Sequence, residues 1–175
     1  LGADSLDDVY YSAVGPMLDQ IRSGVTTVID HHASPYAVPG SLFKIAEAAK
    51  DLGIRSNLCY EISDRDGAKI KDEGIKESLD FVKYCNNEKD EMTKGLFGMH
   101  ASMTISDETL DEVMSAAASV NSGFHVHSAE GIEDVADARA KYKMRVIERW
   151  YKRGVLNDKS IAVHCIHVTD DEIGM

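Results

Sequence analysis

Two kinds of segment alternate along the chain, and a glycine commonly separates them. Short runs of branched or otherwise apolar residues predict strands that are buried on both faces. Longer stretches with apolar residues three and four positions apart predict amphipathic helices. The predicted strands cover residues 25–29, 54–60, 96–100, 124–127 and 160–165. The predicted helices cover residues 4–23, 41–52, 73–86 and 134–153, with another helix after Ser106 and a kink or restart at Pro16.

Buried strands that alternate with helices predict a parallel sheet, either an open doubly wound sheet or a (β/α)8 barrel. No phosphate loop of the form GxGxxG or GxxxxGKS/T follows a predicted strand, which removes the commonest reason to choose the open sheet. All seven histidines lie in or at the end of a predicted strand, where barrel enzymes gather their catalytic groups. We therefore predict an α/β fold that is part of a (β/α)8 TIM barrel, approximately strands 2 to 6 with their helices.

Length and terminal residues set the expected extent of the domain. With 175 residues, of which 43% are hydrophobic, the chain has enough apolar surface for one core. It begins at Leu1, and Thr169 with Glu172 has the pattern of a capping box that opens a helix just before the last residue, Met175. The expectation is a single partial barrel domain over residues 1–175, truncated at both ends.

Composition narrows the range of partners and locations. The net charge of −11 would repel phosphate backbones and anionic lipid, so neither nucleic acid nor a membrane is an expected partner. No apolar run approaches the roughly 20 residues that cross a bilayer. Three cysteines without CxxC spacing fit free thiols in a reducing compartment, and the expected location is therefore the cytoplasm.

The stretch from Gly123 to Glu130 carries the clearest chemical signal. A predicted buried strand ends at His127, and Glu130 follows three residues later. A neutral imidazole can bind a zinc-type cation, while a nearby carboxylate that is not a ligand can take and return the proton of a metal-activated water. The alternative is a hydrogen-bonded core histidine followed by a carboxylate at a helix start. From these eight residues alone, both interpretations stay open.

Longer motifs around this stretch resemble a known family. The run His127–Glu130 followed by Ala162–Asp170 is similar to the fifth and sixth strands of the amidohydrolase superfamily, in the branch of deaminases and chlorohydrolases. Gly98–Ser102 resembles the fourth strand of that branch. Within the branch, Thr26–Ser34 and Asn57–Gly67 are most similar to the SsnA group of aminohydrolases, which is associated with selenium metabolism.

The resemblance implies roles at the matching positions. His127 would be a metal ligand, Glu130 the proton shuttle, and His164 the residue that polarises or orients the attacking water and the substrate. His100, at the end of the preceding strand, would contact the substrate. Because Lys94 precedes the fourth strand, no lysine is offered there for carbamylation between two metals. The implied cofactor is one divalent metal ion, with zinc as first choice and iron as the alternative.

Three further residues are candidates for substrate binding because they end or follow predicted strands: His31, Tyr60 and Arg65. Only alternate side chains of a strand face one side, so at most some of residues 30–32 can line a pocket. His125, two positions before His127, is expected to be a packed histidine one layer deeper.

The family also uses a His-x-His pair on the first barrel strand and an aspartate on the eighth, and this chain holds neither strand. The expected function is nevertheless that of a metal-dependent aminohydrolase, a deaminase that acts on a C–N bond of a small nitrogen-containing, heterocyclic substrate. The alternatives are a chlorohydrolase or cyclic amide hydrolase of the same fold, an inert barrel fragment that acts as a binding or scaffold module, and an unrelated parallel α/β enzyme. Five open strands expose two edges, so we expect a second copy, a complementing chain or further residues of the same protein to close the barrel.

The metal-ligand role of His127 leads to a direct test. The protein expressed from the full open reading frame should contain about one equivalent of zinc or iron, because a site of this kind holds one cation. His127→Ala should lose both the metal, measured by atomic absorption, and turnover. Metal at the parental occupancy in this variant would contradict the assignment.

Overall fold

The chain is described by a computed structural model that covers residues 5–88 and 90–175, and it forms a half-barrel of parallel strands with helices on its outer side. The strands are β1 Thr27–His32, β2 Arg55–Ile62, β3 Thr93–Gly95, β4 Phe97–Ala101, β5 Phe124–Ser128 and β6 Ile161–His164. The helices are α1 Leu6–Arg22, α2 Ser41–Leu52, α3 Ala68–Asn87, α4 Asp107–Ala117, α5 Ile132–Tyr142, α6 Val146–Lys152 and α7 Asp170–Ile173. A short 3-10 helix, Ser102–Thr104, follows β4.

All the strand pairs are parallel, and the strand order is β1-β2-β4-β5-β6. The short strand β3 also pairs with β2, with Ser56 opposite Thr93, and β4 continues farther along the same strand, with Glu61 opposite Gly98. Strands β3 and β4 therefore occupy one strand position that is interrupted at Leu96. This five-position parallel sheet confirms the predicted partial (β/α)8 barrel.

The core lies between the outer face of the sheet and the helices. On β2, Leu58, Tyr60 and Ile62 alternate along the strand and are buried. Helix α3 lies close to this face at Gly74, where an added Cβ would lie 2.9 Å from Cδ1 of Tyr60 and 3.5 Å from the Ile62 side chain. The intervening β2 residue Glu61 consequently faces the opposite side of the sheet, the interior of the half-barrel.

The helix predicted over residues 134–153 is wrong as a single element, since the structure divides it into α5 and α6. The chain turns at Lys143, whose φ of 58° interrupts the helical hydrogen-bond ladder. The N–H of Arg145 then donates to Oε2 of Glu148 at 3.3 Å, which caps the new helix. Glycine and proline are both lacking at this turn, so no sequence signal marks it.

Helix caps agree with their sequence signals. Oγ of Ser106 accepts the N–H of Thr109 at 3.2 Å and opens α4 as predicted. The capping box also forms, because the N–H of Thr169 donates to Oε2 of Glu172 at 3.0 Å and the N–H of Glu172 donates back to Oγ1 of Thr169 at 3.4 Å. Helix α1 runs through Pro16 as one element. Its predicted first residue, position 4, lies outside the described part of the chain.

Two further expectations from the sequence concern the pairing of the cysteines and the presence of a membrane-crossing helix. All three cysteines are unpaired, as expected. Within residues 5–88 and 90–175, no helix combines the length and the apolar character that crossing a bilayer requires.

The pairing of β2 with β4 requires glycine at position 98. An added Cβ there would lie 2.2 Å from the main-chain oxygen of Tyr60 and 2.8 Å from Sγ of Cys59, so Gly98→Ala must displace the backbone of a buried strand. We expect this substitution to lower the free energy of unfolding by about 3 kcal/mol in urea titrations. Gly15→Ala is the control, because an added Cβ there meets no atom within 4 Å outside its own stretch of α1. This control should change stability by less than about 1 kcal/mol, because the helix favours alanine whereas the ring of the following Pro16 opposes an added Cβ. Equal effects of the two substitutions would contradict the close approach.

Candidate metal and acid-base site

Three potential metal ligands meet in the interior of the half-barrel. His31 of β1, Glu61 of β2 and His127 of β5 each offer one ligand atom, and these atoms all lie within 4.8 Å of one another. The rings of His31 and His127 have centroids 4.4 Å apart. Imidazole nitrogen with carboxylate oxygen is a donor set that suits zinc and related divalent cations.

The orientation of His127 is fixed by the main chain. Its Nδ1 lies 2.8 Å from the carbonyl oxygen of His100, and because a carbonyl only accepts, Nδ1 carries the proton. The lone pair of Nε2 is thereby left free, the arrangement in which protein histidines commonly bind metals. Burial, aided by the neighbouring His31, lowers the pKa of His127 below its ordinary value of 6.5. The imidazole is therefore neutral near pH 7, the state that a metal ligand requires.

Glu61 is held as a carboxylate at the edge of the same cluster. Its Oε2 lies 3.5 Å from Nδ1 of His31, and the side chains are 15% and 9% exposed, respectively. Burial raises the pKa of Glu61, but the His31 contact and the neighbouring His100 and Arg65 side chains outweigh burial, so the net pKa is lowered. Arg65 forms an ion pair with Glu61, and its Nε donates to Oγ of Ser63 at 3.0 Å. His127 and Glu61 therefore fit a divalent cation by charge and by protonation state.

An acid-base pair lies next to the possible ligands. Nε2 of His164 is 3.4 Å from Oε2 of Glu130, and the His164 ring stacks on the His127 ring with centroids 5.5 Å apart. The Glu130 side chain is 62% exposed and that of His164 is 33% exposed, so solvent and a small molecule can reach both. The structure thus brings His127, Glu130 and His164 close together at the ends of β5 and β6, while their individual roles stay predictions.

The loops that carry these groups have an uncommon backbone conformation. Among the described residues, four that are not glycine have a positive φ, and three of them lie here: Ala129 at 49°, His164 at 69° and Cys165 at 51°. Left-handed conformations cost an ordinary residue about 1 kcal/mol, so other contacts must hold them. The N–H of Cys165 donates to the Ser128 carbonyl at 2.9 Å, and the N–H of His167 donates to the Ala129 carbonyl at 3.0 Å. The β5 and β6 loops therefore stabilise each other.

His100 presents a free nitrogen at the edge of the cluster. Its Nδ1 lies 2.8 Å from Oγ1 of Thr104, whose hydroxyl proton is donated to the Ala101 carbonyl at 3.0 Å. The hydroxyl oxygen must therefore accept from Nδ1, which leaves Nε2 of His100 as an acceptor. Burial lowers the pKa of His100, so this acceptor is available near neutral pH. Its ring centroid is 5.5 Å from that of His127, a placement compatible with the predicted contact to substrate.

Strand alternation separates the remaining candidates from the cluster. Tyr60 packs on the outer face of β2 against α3, and the structure does not bring it to the site, although it was predicted to bind substrate. On β1, Asp30 and His32 line a small pocket against α1, and only His31 of this triplet turns inward. His125 lies beside His31 with ring centroids 4.7 Å apart and is buried, as expected of a deeper packed residue.

Sequence reasoning did not select Glu61 as a site residue, because the observation that selects it is the register between β1 and β2. His31 pairs in register with Cys59, so these two residues share the inner face. Glu61 lies two residues beyond Cys59 and therefore faces the same side. If the inward-facing positions of β2 are counted from Cys59, the residue paired with His31, they include Glu61 and exclude Tyr60.

A parallel barrel edge that gathers histidines, a carboxylate and an exposed acid-base pair defines the class of metal-dependent barrel hydrolases. The model of the Amidohydrolase family matches residues 2–175, and the chain belongs to this family.

Several similar proteins are named as deaminases. A 5-methylthioadenosine/S-adenosylhomocysteine deaminase of Thermoanaerobacter pseudethanolicus is 29% identical over 168 residues, which cover 96% of this chain and 37% of that protein. The chain thus spans just over a third of the length of this relative.

Solved structures agree in fold. An adenosine deaminase from Xanthomonas campestris with bound zinc has a TM-score of 0.82 at 24% identity, over 97% of this chain and 37% of its own. The atrazine chlorohydrolase of Arthrobacter aurescens complexed with zinc has a TM-score of 0.78 at 22% identity, over 95% of this chain and 40% of its own. At these identities the likeness extends to the fold alone.

The buried His32 should make stability depend on pH. Burial lowers its pKa from 6.5 to about 4, so between these values the unfolded chain binds more protons than the folded one. Stability should therefore fall as the pH drops from 6.5 towards 4, by about 3 kcal/mol from this residue. His32→Gln, which cannot titrate, should flatten this part of the curve of unfolding free energy against pH. Measurements at about pH 7.5, where both forms of residue 32 are neutral, provide the control. An unchanged slope in the variant would contradict the low pKa.

Proposed function

We propose that the protein is a metal-dependent aminohydrolase that removes ammonia from a small nitrogen heterocycle, with adenosine derivatives as the substrate class. The observation that carries the proposal is the proximity of three groups: the His164 imidazole stacks on the His127 ring, whose Nε2 is free, and lies 3.4 Å from the exposed Glu130 carboxylate. The substrate class is supported by relatives named for deamination of 5-methylthioadenosine and S-adenosylhomocysteine. Attack by water on an electrophilic ring carbon needs these three kinds of group.

One divalent metal ion is the proposed cofactor, and zinc is the first choice because solved structures of the same fold contain it. Iron is the alternative. His127 would bind the ion through Nε2, and His31 and Glu61 are the nearest further donors that the structure describes. When bound, the ion supplies a water whose pKa is lowered to about 7.

The remaining steps belong to side chains of this chain. The exposed Glu130 carboxylate accepts a proton from the attacking water and later returns it to the leaving nitrogen. His164, 3.4 Å from Glu130, donates to the oxygen that becomes negative during attack. His100 accepts a hydrogen bond from an N–H of the substrate through its free Nε2. Arg65, paired with Glu61, lies where it can contact the periphery of the substrate.

A second candidate activity is chlorohydrolysis of a heterocycle. It is favoured by the fold shared with atrazine chlorohydrolase and by the identical demand for an activated water. The finer likeness to the SsnA group stays a prediction beside these two activities. A small-molecule substrate in the cytoplasm, without nucleic acid or membrane as partner, agrees with a net charge of −11.

The proton-transfer role of Glu130 provides the test. The protein from the full open reading frame, loaded with zinc, should release ammonia from 5-methylthioadenosine or S-adenosylhomocysteine. Glu130→Gln keeps the size of the side chain but cannot accept the proton, and it should lower kcat by roughly 10²- to 10⁴-fold at unchanged metal content. Glu133→Gln is the matched control, because Glu133 is an exposed residue in the first turn of α5 and should leave kcat near the parental value.

The outcomes separate the candidate functions. Release of chloride from atrazine without release of ammonia would favour the chlorohydrolase. Metal-loaded protein that turns over neither substrate type would favour the binding or scaffold module. Equal kcat for Glu130→Gln and Glu133→Gln would remove Glu130 from the mechanism.

A further inference from the structure

The buried carboxylate of Asp134 joins two loops that carry residues of the site. Asp134 lies in the first turn of α5 and is 5% exposed. Its Oδ2 accepts the N–H of Ala129 at 3.1 Å, and its Oδ1 accepts the N–H of Met103 at 3.0 Å. Ala129 follows β5 and Met103 follows β4, so one side chain holds the main chain of both loops.

The first loop needs such a partner because of its conformation. Ala129 lies between His127 and Glu130 and has a φ of 49°, which an alanine side chain disfavours. The carbonyl of Ala129 also accepts the N–H of His167, so its peptide groups connect Asp134 to the β6 loop. The direction in which the chain leaves this turn determines where the Glu130 side chain begins.

The second loop is held from two sides. The guanidinium of Arg149, only 1% exposed, donates to the carbonyl of Ser102 at 2.8 Å and to that of Ile105 at 2.8 Å. Asp134 binds an N–H of the same 3-10 turn, while Arg149 binds its carbonyls. Thr104, within this turn, is the residue that accepts from Nδ1 of His100. The loop that orients His100 and the loop that carries Glu130 therefore have a common support.

We propose that Asp134 is a positioning residue that sets the placement of the Glu130 carboxylate relative to His127 and His164. The inference rests on the proposed function, in which Glu130 moves the proton. Asp134 reaches the reacting groups only through the Ala129 turn and does not touch the substrate. A purely structural role for Asp134 would change stability, whereas a positioning role changes turnover in the folded, metal-loaded protein.

The test uses Asp134→Asn in the zinc-loaded protein from the full open reading frame. Asparagine has the same shape, but its NH2 group cannot accept, so one of the two loop N–H groups loses its partner. We expect kcat to fall roughly 10- to 100-fold, with KM within about threefold of the parent and metal content unchanged. Asp137→Asn is the matched control, because Asp137 lies on the same helix and forms an ion pair with Lys141 at 2.9 Å. It should leave kcat near the parental value.

A rescue experiment distinguishes positioning from a general loss of packing. Ala129→Gly removes the side chain that opposes a positive φ, so the turn depends less on Asp134. The fall in kcat caused by Asp134→Asn should be several-fold smaller in the Ala129→Gly background. An equal fall in both backgrounds, or a kcat of Asp134→Asn within about twofold of the parent, overturns the proposal. If Asp134→Asn does not fold, Asp134→Glu keeps two acceptor oxygens but shifts them by one methylene, and the same criteria apply.

Amide hydrogen exchange tests the contact without relying on activity. In Asp134→Asn at least one of the amides of Ala129 and Met103 should exchange about tenfold or more faster than in Asp137→Asn, because asparagine keeps only one acceptor oxygen for the two N–H groups. Unchanged exchange at both amides overturns the proposal. If the parent releases no ammonia, the proposed function fails, and the exchange experiment still decides whether Asp134 holds the two loops.

Discussion

Parallel strand pairing, combined with the two-residue alternation of side chains, is the constraint on which the site depends. Parallel strands end at the same edge of a sheet, so a residue near the end of one strand meets its counterpart on the next. Alternation then decides which of two neighbours faces the interior, and it selects His31 over His32 and Glu61 over Tyr60. The register between the strands brings these side chains to the same face of the sheet.

Main-chain groups supply most of the support for the side chains of the site. The His100 carbonyl orients His127, and the carbonyls of Ser128 and Ala129 hold the loop after β6. Buried charged side chains act in the same way, since Asp134 binds backbone N–H groups of two loops. Backbone positions are fixed by the sheet, so hydrogen bonds to them transmit the rigidity of the barrel to side chains that must be accessible to solvent.

The sequence predicted the order of strands and helices because buried parallel strands and amphipathic helices differ in period. Helix α2, Ser41–Leu52, has the predicted bounds, since a glycine precedes it and another follows it. Strand β3, Thr93–Gly95, was not predicted, because it has only three residues and they form no apolar run. The break between α5 and α6 was not predicted, because the residue with the left-handed backbone conformation is Lys143 and not a glycine, which would have indicated a turn. The local pattern of apolar residues therefore predicts helices and longer strands well. It predicts poorly the turns that contain neither glycine nor proline.

The sequence predicted those residues of the site that belong to local motifs. The motifs that contain His127, Glu130 and His164, together with the family that they resemble, led to the expectation that these three groups lie near one another, and the structure places them so. The inward direction of Glu61 and the burial of Tyr60 depend on register between strands distant in sequence, which local spacing does not contain. The supporting role of the 3-10 turn after β4 likewise arises only when α5 and α6 pack against it.

The acceptor that orients His127 is the main-chain oxygen of residue 100 and not its side chain. Every amino acid carries that oxygen, so His127 would keep its tautomer and direction whichever side chain stood at position 100. The group that would contact the substrate can therefore change independently of the group that would bind the metal. In the divergence of such barrels, new substrate preferences can be acquired by single codon changes while the inherited metal chemistry is preserved.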